Sequence, residues 1–284
     1  MLITLIRQFA RHLAGRGADL RAALRLARVA LHLLWGCATV AGVFPFIGLQ
    51  LRRRLKQRWS RQLIQVLGVK LQIHGEQPRG MIVANHVSFL DIYAINALAP
   101  AGFVSKDDVL GWPVIGWLSR HTETIFLERG SRSAAQRTRE HLAAELERGH
   151  LVALFPEGTT SDGHGVLPFH AALLQSTIDA GAPLTPVALR YLDKHGNTSQ
   201  DAAYVGDTSL GQCLWSIARS EGLTVWVQVL PVMTSVDIDR RHLSAHAHRA
   251  ISHAIQQRNP PHRYVAEHGD TPARAATDID SATA

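Results

Sequence analysis

The sequence predicts an α/β fold in which a mixed, largely parallel sheet is flanked by helices and preceded by an N-terminal membrane-associated helical element. Beyond residue 61, short apolar stretches of strand length alternate with amphipathic stretches of helix length, a pattern typical of a sheet covered on both faces. Before residue 61, a long uncharged run lies between two groups of arginines. We therefore divide the 284 residues into a membrane-associating region at 1–61, an α/β domain at 62–258 and a tail at 259–284. The tail is short of large apolar residues, and we expect it to be disordered.

The first element in chain order is the apolar run at 29–51, which contains no charged side chain. A helix of that length is about 34 Å long and matches a hydrocarbon core about 30 Å thick. The following residues offer places to bend or break it: Gly36, Gly42, Pro45 and Gly48. Because both flanks are equally basic, charge indicates no orientation for a single span. We expect a helical hairpin or an interfacial element with both ends on the cytoplasmic face; a single span and a buried core helix are the alternatives.

The charge of the chain is unevenly distributed. Residues 1–61 contain twelve cations and one acid, a net charge of +11, so the remainder carries −4 of the total of +7. Basic residues beside an apolar run indicate anionic lipid head groups, each cation contributing on the order of 1 kcal/mol. A nucleic-acid surface would spread them over the folded domain among base-reading side chains, so we expect membrane lipids and no nucleic acid as partners. Cys37 and Cys213 are far apart and indicate no disulfide framework.

The α/β domain continues with strands and helices in alternation. We expect strands at 69–74, 81–84, 103–105, 124–127, 151–155, 184–190 and 223–232, because each is short and apolar. We expect helices at 89–98, 133–148, 169–180 and 240–257. Gly149 provides a glycine stop for the second of these, and Pro260 follows the last. We interpret Ser209 as the end of a turn and the N-cap of a further helix.

A histidine and an aspartate stand five residues apart where the second strand ends. His86 follows the strand at 81–84, and the carboxyl ends of strands are the usual site of function in α/β folds. Ser88 and Asp91 resemble a capping box with Ser88 as N-cap, so the Asp91 carboxylate can reach back to the imidazole. A carboxylate there would fix the tautomer and stabilise the imidazolium, which suits activation of an alcohol. The alternative is that Asp91 only caps the helix beside a loop histidine.

A second polar segment follows the strand at 151–155. Residues 155–163 are rich in glycine and hydroxyl side chains, and such a loop can point several backbone N–H groups into one cavity. That cavity would suit an anionic head group. An ordinary turn is the alternative, because Ser, Asp and Gly favour turns in any case.

Five segments in order resemble stretches of the glycerolipid acyltransferases typified by 1-acylglycerol-3-phosphate acyltransferase. They lie at 85–91, 105–117, 125–129, 155–161 and 182–187. The resemblance implies transfer of a fatty acyl group from acyl-CoA or acyl-carrier protein, as co-substrate, to a lysolipid hydroxyl, with no cofactor, no metal and no covalent acyl-enzyme. The domain at 62–258 would then be the catalytic domain. It would lie on the cytoplasmic side of a bacterial inner membrane, with membrane lipids and the lysolipid acceptor as partners.

The resemblance also implies roles for single residues. In that family the histidine of the first block is the general base and the aspartate orients it, so His86 and Asp91 would be the catalytic pair. Lys106 and Arg129 match basic positions that bind phosphate. The acceptor-binding loop would comprise Glu157, Gly158, Thr159 and Thr160.

Two residues depart from the family pattern. Thr160 stands where the family usually has arginine, and His170 where it commonly has lysine. A threonine can donate one hydrogen bond but cannot replace a guanidinium that binds phosphate through two parallel bonds. A similar loop occurs in related acyltransferases that act on lyso-ornithine lipid, which has no phosphate. We expect the sn-2 hydroxyl of 1-acylglycerol-3-phosphate as acceptor, giving phosphatidic acid; lyso-ornithine lipid is the alternative, and a non-catalytic membrane lipid-binding protein is the distant one.

Overall fold

The strands of the computed structural model, which describes residues 2–106, 111, 113–127 and 132–257, form one seven-stranded sheet. The strands are β1 (Lys70–His74), β2 (Met81–Ala84), β3 (Gly102–Lys106), β4 (Ile125–Leu127), β5 (Val152–Leu154), β6 (Leu184–Leu192) and β7 (Thr224–Val229). The helices are α1 (Leu2–Gly42), α2 (Leu49–Val66), α3 (Leu90–Leu98), α4 (Pro113–His121), α5 (Arg132–Glu147), α6 (Gln175–Asp179), α7 (Leu210–Arg219) and α8 (Arg240–Gln256).

The sheet is mixed and largely parallel, which confirms the predicted fold class. Its strand order is β1-β7-β6-β2-β5-β3-β4. Every neighbouring pair is parallel except β6 and β7, which run antiparallel. Strand β2 lies between β5 and β6, so residues that follow β2 emerge in the middle of the carboxyl edge of the parallel strands.

Alternate residues of β2 enter two different cores, as the period of a strand requires. Ile82 and Ala84 pack in the core formed with α2, α3 and α7, whereas Met81 and Val83 pack in the core formed with α5 and α8. All four side chains are fully buried. Burying one large apolar side chain contributes about 1.5–3 kcal/mol, so the two cores hold the central strands firmly in place beneath the site.

Helices α1 and α2 form a hairpin whose chain reverses between residues 43 and 48. The rings of His32 and Trp59 stack with centroids 4.7 Å apart, and the Trp59 indole N–H donates to the His32 carbonyl at 3.1 Å. The break predicted at Gly36 is wrong, because α1 continues through it. A Cβ at Gly36 would lie 2.7 Å from the Trp59 indole nitrogen, so glycine here permits close approach of the two helices.

The end of the hairpin is apolar and exposed. Within the described part of the chain, Gly15–Phe46 is the one helical segment that is long and apolar enough, by length and composition alone, to cross a membrane. Its exposed large apolar side chains near the reversal are here called the hairpin tip: Leu31, Leu34, Trp35, Val43 and Phe46. The opposite side of α1 packs on the domain through the buried Val29.

Several cations near the apolar run bind protein groups, contrary to the expectation that they serve lipid head groups. Arg25 donates to the carbonyls of Ala218 and Ser220 at 3.0 and 2.8 Å, at the end of α7. Arg61 donates to the Ala97 carbonyl at 2.8 Å, in the last turn of α3. The last carbonyls of a helix have no partner within it and carry partial negative charge. These arginines therefore attach the hairpin to the ends of two domain helices.

A further group of charges joins α2 to the turn before β4. Arg53 donates twice to one carboxylate oxygen of Glu123, at 2.9 and 2.6 Å, and Lys56 donates to the other at 3.0 Å. The Lys56 ammonium also donates to the carbonyl of Ala101 at 3.0 Å. Lys56 is only 9% exposed, so its charge depends on these partners.

Two of the predicted elements differ most clearly from the observed ones. The helix predicted at 169–180 is a 3₁₀ turn, Ala171–Leu174, followed by the short α6; His170 is extended because its N–H donates to the Pro156 carbonyl at 2.8 Å. The strand predicted to end at 232 ends at Val229, since Pro231 cannot donate to a ladder. The Ser209 N-cap is confirmed by a capping box with Gln212. Residue 61 lies within α2, and the tail at 259–284 lies outside the described residues.

Candidate active site

The candidate site lies at the carboxyl ends of the neighbouring parallel strands β2 and β5. His86 follows β2 by two residues and Glu157 follows β5 by three. The Asn85 side chain extends the pairing of β2 with β6, because its amide donates to the Leu189 carbonyl at 3.0 Å and accepts the Leu189 N–H at 2.8 Å. The backbone just before His86 is therefore fixed against β6.

The predicted pairing of His86 with Asp91 is present. The imidazole Nδ1 lies 2.9 Å from Asp91 Oδ2, and the same oxygen accepts the N–H groups of Val87 at 2.7 Å and Ser88 at 2.9 Å. A carboxylate oxygen that accepts two N–H groups is an acceptor, so Nδ1 carries the proton and Nε2 is the basic nitrogen. The bond from Ser88 is one half of the predicted capping box. The other half is not formed, because the Ser88 hydroxyl accepts from the N–H of Leu90 at 3.3 Å.

Of the two predicted catalytic residues, Asp91 is buried and the His86 imidazole is partly open to solvent. Asp91 is fully buried, whereas the His86 side chain is 18% exposed. The imidazole stacks on Phe155 with ring centroids 3.9 Å apart and planes at 7°. Among the described residues, Nε2 has no hydrogen-bond partner. A base that is oriented at one nitrogen and open at the other can accept a proton from a bound hydroxyl group.

Asp91 has a further partner that sequence reasoning missed. The hydroxyl of Tyr191, on β6, donates to Asp91 Oδ1 at 2.6 Å, and Tyr191 is 1% exposed. Burial and the charge of Asp91 raise the pKa of Tyr191 well above its usual value. No sequence pattern near Asp91 predicts this contact. Tyr191 lies beside Asp91 because of the position of β6 in the sheet.

The Glu157 side chain binds two backbone N–H groups of the site. One carboxylate oxygen accepts the His86 N–H at 2.7 Å and the other accepts the Leu167 N–H at 2.9 Å. The side chain is only 4% exposed. Burial raises its pKa to about 7, although both backbone hydrogen bonds oppose this shift. Glu157 therefore links three segments of the site, and each of its oxygens already accepts one backbone N–H.

Two backbone N–H groups of the loop after β5 bind within the protein. The Gly158 N–H donates to the Phe155 carbonyl at 3.1 Å, and the Ser161 N–H donates to the His86 carbonyl at 2.8 Å, so these two N–H groups do not point into a cavity as expected. Gly158 has a φ of +68°, and a Cβ there would lie 3.4 Å from the His170 ring. Thr159 is exposed. His170, the residue in place of the family's lysine, therefore lies against this loop.

Thr160 is engaged with a neighbouring segment. Its hydroxyl donates to the Tyr204 carbonyl, and the Tyr204 N–H donates to the Val87 carbonyl at 2.9 Å. The single hydroxyl proton expected for the acceptor is therefore used within the protein. Thr160 and Val87 are therefore both hydrogen-bonded to the backbone of Tyr204.

The two predicted phosphate-binding cations are described only in part. Lys106 is the last residue of β3, paired in register with Leu127 of β4; its side chain and the whole of Arg129 lie outside the described residues. The end of β3 lies on the β5 side of His86 in the strand order. In the strand order Lys106 thus lies on the opposite side of β2 from Tyr191.

Comparisons with known proteins show which proteins the chain resembles. A family model described as Acyltransferase matches residues 66–190. The chain is 37% identical over 207 residues to a lyso-ornithine lipid O-acyltransferase of Pseudomonas aeruginosa, covering 72% of this chain and 80% of that protein. It is 38% identical over 195 residues to a 1-acyl-sn-glycerol-3-phosphate acyltransferase of Neisseria meningitidis, covering 67% and 76%. The crystal structure of the LPA acyltransferase PlsC from Thermotoga maritima matches with a TM-score of 0.66 at 18% identity, covering 86% of this chain and 96% of that one.

Proposed function

The chain belongs to the acyltransferase family, and on that premise we propose that it acylates the free sn-2 hydroxyl of 1-acylglycerol-3-phosphate to give phosphatidic acid. The acyl donor is the thioester of acyl-CoA or of acyl-carrier protein. The observation that carries the proposal is the imidazole of His86, which is oriented by Asp91 at 2.9 Å and open at Nε2. The relative from Neisseria meningitidis supports the choice of acceptor.

The reaction uses Nε2 of His86 first as a base and then as an acid, while Nδ1 stays hydrogen-bonded to Asp91. Nε2 removes the proton of the acceptor hydroxyl as its oxygen attacks the thioester carbonyl, and the Asp91 carboxylate stabilises the imidazolium that forms. A carbon–oxygen bond forms and the carbon–sulfur bond breaks. The imidazolium then returns the proton to the departing thiolate, so that the free thiol leaves and His86 is neutral again.

The remaining site residues divide into three groups in this proposal. Lys106 and Arg129 bind the phosphate of the acceptor, because cations are its natural partners. Gly158 and Thr159 line the acceptor loop. Glu157 and Thr160 hold that loop in position, since their polar atoms are occupied by protein groups.

Lyso-ornithine lipid is a second candidate acceptor, favoured by one specific observation. Thr160 stands in place of the family's arginine, and its hydroxyl binds the Tyr204 carbonyl. This position therefore supplies neither a charge nor a free proton for a phosphate. The relative from Pseudomonas aeruginosa is named for lyso-ornithine lipid.

We place the protein at the bacterial inner membrane with its catalytic domain, 62–258, on the cytoplasmic side. Residues 1–61 form the membrane-associating region, and the hairpin tip, with Phe46 84% exposed, supplies its apolar contact. The test is flotation with vesicles of phosphatidylethanolamine and phosphatidylglycerol. Trp35→Glu with Phe46→Glu should abolish binding, whereas Val236→Glu, at an exposed apolar residue outside the hairpin tip, should not. Equal binding to vesicles by the unaltered protein, the double variant and Val236→Glu would exclude the hairpin tip as the membrane contact.

The function itself is tested by acyl transfer with purified full-length protein in detergent or vesicles. Labelled acyl-CoA and acyl-carrier protein are each offered with 1-acylglycerol-3-phosphate and with lyso-ornithine lipid. Formation of phosphatidic acid supports the leading acceptor. Turnover with lyso-ornithine lipid alone supports the second, and the absence of turnover with every pair of substrates rejects both.

A further inference from the structure

The Asp91 carboxylate is hydrogen-bonded very unequally at its two oxygens. Oδ2 accepts from the His86 imidazole and from the N–H groups of Val87 and Ser88, all within 2.9 Å. Within the described residues, Oδ1 accepts from a single donor, the hydroxyl of Tyr191 at 2.6 Å. Because Asp91 is fully buried, solvent does not replace that donor.

Tyr191 is held more rigidly than a loop residue would be. It lies on β6, which pairs with β2 on one side and β7 on the other. Its ring is buried in the core beneath α3 and α7. Its carbonyl accepts the Ser199 N–H at 2.8 Å. The hydroxyl therefore meets Asp91 from a fixed direction.

We propose that Tyr191 is a positioning residue for the catalytic pair: its hydroxyl fixes Asp91 Oδ1, so that Oδ2 faces His86 and the carboxylate stays charged when the imidazole receives a proton. The proposal rests on the acyl transfer proposed above and adds a residue to it. Tyr191 keeps its own proton throughout the reaction. Its contribution is electrostatic and geometric, because a buried carboxylate without a donor either turns or takes up a proton.

The alternative role for Tyr191 is to fill the core. The two roles are separated by Tyr191→Phe, which keeps the ring and removes only the hydroxyl. The matched control is Tyr93→Phe, which removes the hydroxyl of another largely buried tyrosine, two residues beyond Asp91 on α3. Steady-state kinetics are measured for both variants in the full chain, together with the active fraction and the resistance to urea.

For Tyr191→Phe we expect kcat to fall on the order of 10- to 100-fold, because a hydrogen bond to a charged group is lost. KM for the acceptor should stay within about twofold, since the hydroxyl does not touch substrate. Tyr93→Phe should keep kcat within about twofold of the unaltered protein. A loss shared equally by both variants, or a kcat unchanged in Tyr191→Phe, would overturn the proposal.

The pH profile gives a readout that core filling would not move. The titratable groups around the pair are Glu157 beyond β5, Tyr191 on β6 and Cys213 on α7, whose thiol interacts with Ser88. A carboxylate with one donor fewer holds the proton of the pair more tightly, so the acidic limb of kcat/KM should move to higher pH in Tyr191→Phe. An unmoved limb would assign Tyr191 to packing alone.

A second variant covers the case in which Tyr191→Phe does not fold. Site-specific 3-fluorotyrosine at position 191 keeps the hydroxyl and makes it a stronger donor, so the acidic limb should move the opposite way, to lower pH. A limb that stays in place would contradict the proposal. If the unaltered protein itself transfers no acyl group to any acceptor, the proposed function fails, which is distinct from failure of the role of Tyr191.

Discussion

The Glu157 carboxylate accepts the backbone N–H of His86 at 2.7 Å, which joins the strand that carries the base to the loop that was expected to bind the acceptor. The bond is made in a buried place, where it orients the peptide that precedes the imidazole. Movement of the loop would therefore displace His86 directly. This relationship makes Glu157 a determinant of both stability and catalytic geometry.

The stability of the protein should carry a pH-dependent part that comes from Glu157. Burial raises its pKa to about 7 from an ordinary value of 4.5, so the unfolded chain ionises first. Between these two values the folded state binds more protons than the unfolded state, and the free energy of unfolding falls as pH rises. The fall amounts to about 3 kcal/mol at most and ends above about pH 7. Urea unfolding at several pH values measures it.

Glu157→Gln is the variant that isolates this contribution, because an amide does not ionise in this range. One of the two backbone donors will lose its acceptor, so the variant should be less stable at low pH, by about 1–3 kcal/mol. The difference between the two proteins should shrink as pH rises. A difference independent of pH would show that Glu157 is ionised at the same pH in both states.

His86→Ala should remove acyl transfer while leaving the fold intact. Loss of a general base lowers kcat on the order of 10²- to 10⁴-fold. The matched control is His150→Ala, because His150 Nδ1 also pairs with a carboxylate five residues away, Glu145 Oε2 at 2.7 Å, outside the site. Acyl transfer by both variants is measured with the same acceptor. Substantial turnover by His86→Ala would remove the imidazole from the mechanism.

Thr160→Arg should change the choice of acceptor. A guanidinium can bind phosphate through two charge-assisted bonds, so KM for 1-acylglycerol-3-phosphate should fall by about 10-fold relative to KM for lyso-ornithine lipid. The substitution also removes the bond to the Tyr204 carbonyl. Thr160→Val is therefore the control, since it removes that bond without adding a charge. Equal acceptor ratios in both variants would show that position 160 does not contact the head group.

Glu123→Gln should destabilise the junction between α2 and the turn before β4. Lys56 is only 9% exposed and would lose its counter-charge, at a cost of about 2 kcal/mol after allowance for the partial exposure of Glu123. Adding Lys56→Met should recover at least half of the loss. Glu145→Gln is the control, because its partner Arg148 is exposed, and should cost less than about 1 kcal/mol. Urea unfolding of all the variants provides the comparison.

The sequence predicts those contacts of the site that join residues close to each other along the chain. His86 and Asp91 lie on one strand-to-helix connection, so a contact between them was one of two interpretations that the local sequence allowed, and the family resemblance favoured it. Tyr191 lies 100 residues beyond Asp91. It meets Asp91 because of the register of β6 on β2, which pairs Ala84 with Val187. That register depends on the packing of both cores, and no spacing in the sequence encodes it directly.

The sheet and its strand positions were predictable because apolar strands covered on both faces have a clear pattern. The roles of the cations were not. The arginine side chain has the same donors whether it faces a lipid phosphate or the carbonyls that end a helix, and only the packing of α1 on α7 assigns Arg25 to Ala218. For the same reason Thr160 gave no sign that its proton goes to Tyr204.

The attachment of the hairpin to the ends of α3 and α7 has a practical consequence for making a detergent-free enzyme. Cutting the chain at residue 61 would discard Val29, Lys56 and Trp59, whose contacts lie against the domain, and would leave the last carbonyls of two helices without their arginine donors. The truncated protein should aggregate. Solubility is better sought by replacing the hairpin tip alone with polar residues, so that the inner sides of α1 and α2 continue to cover the domain.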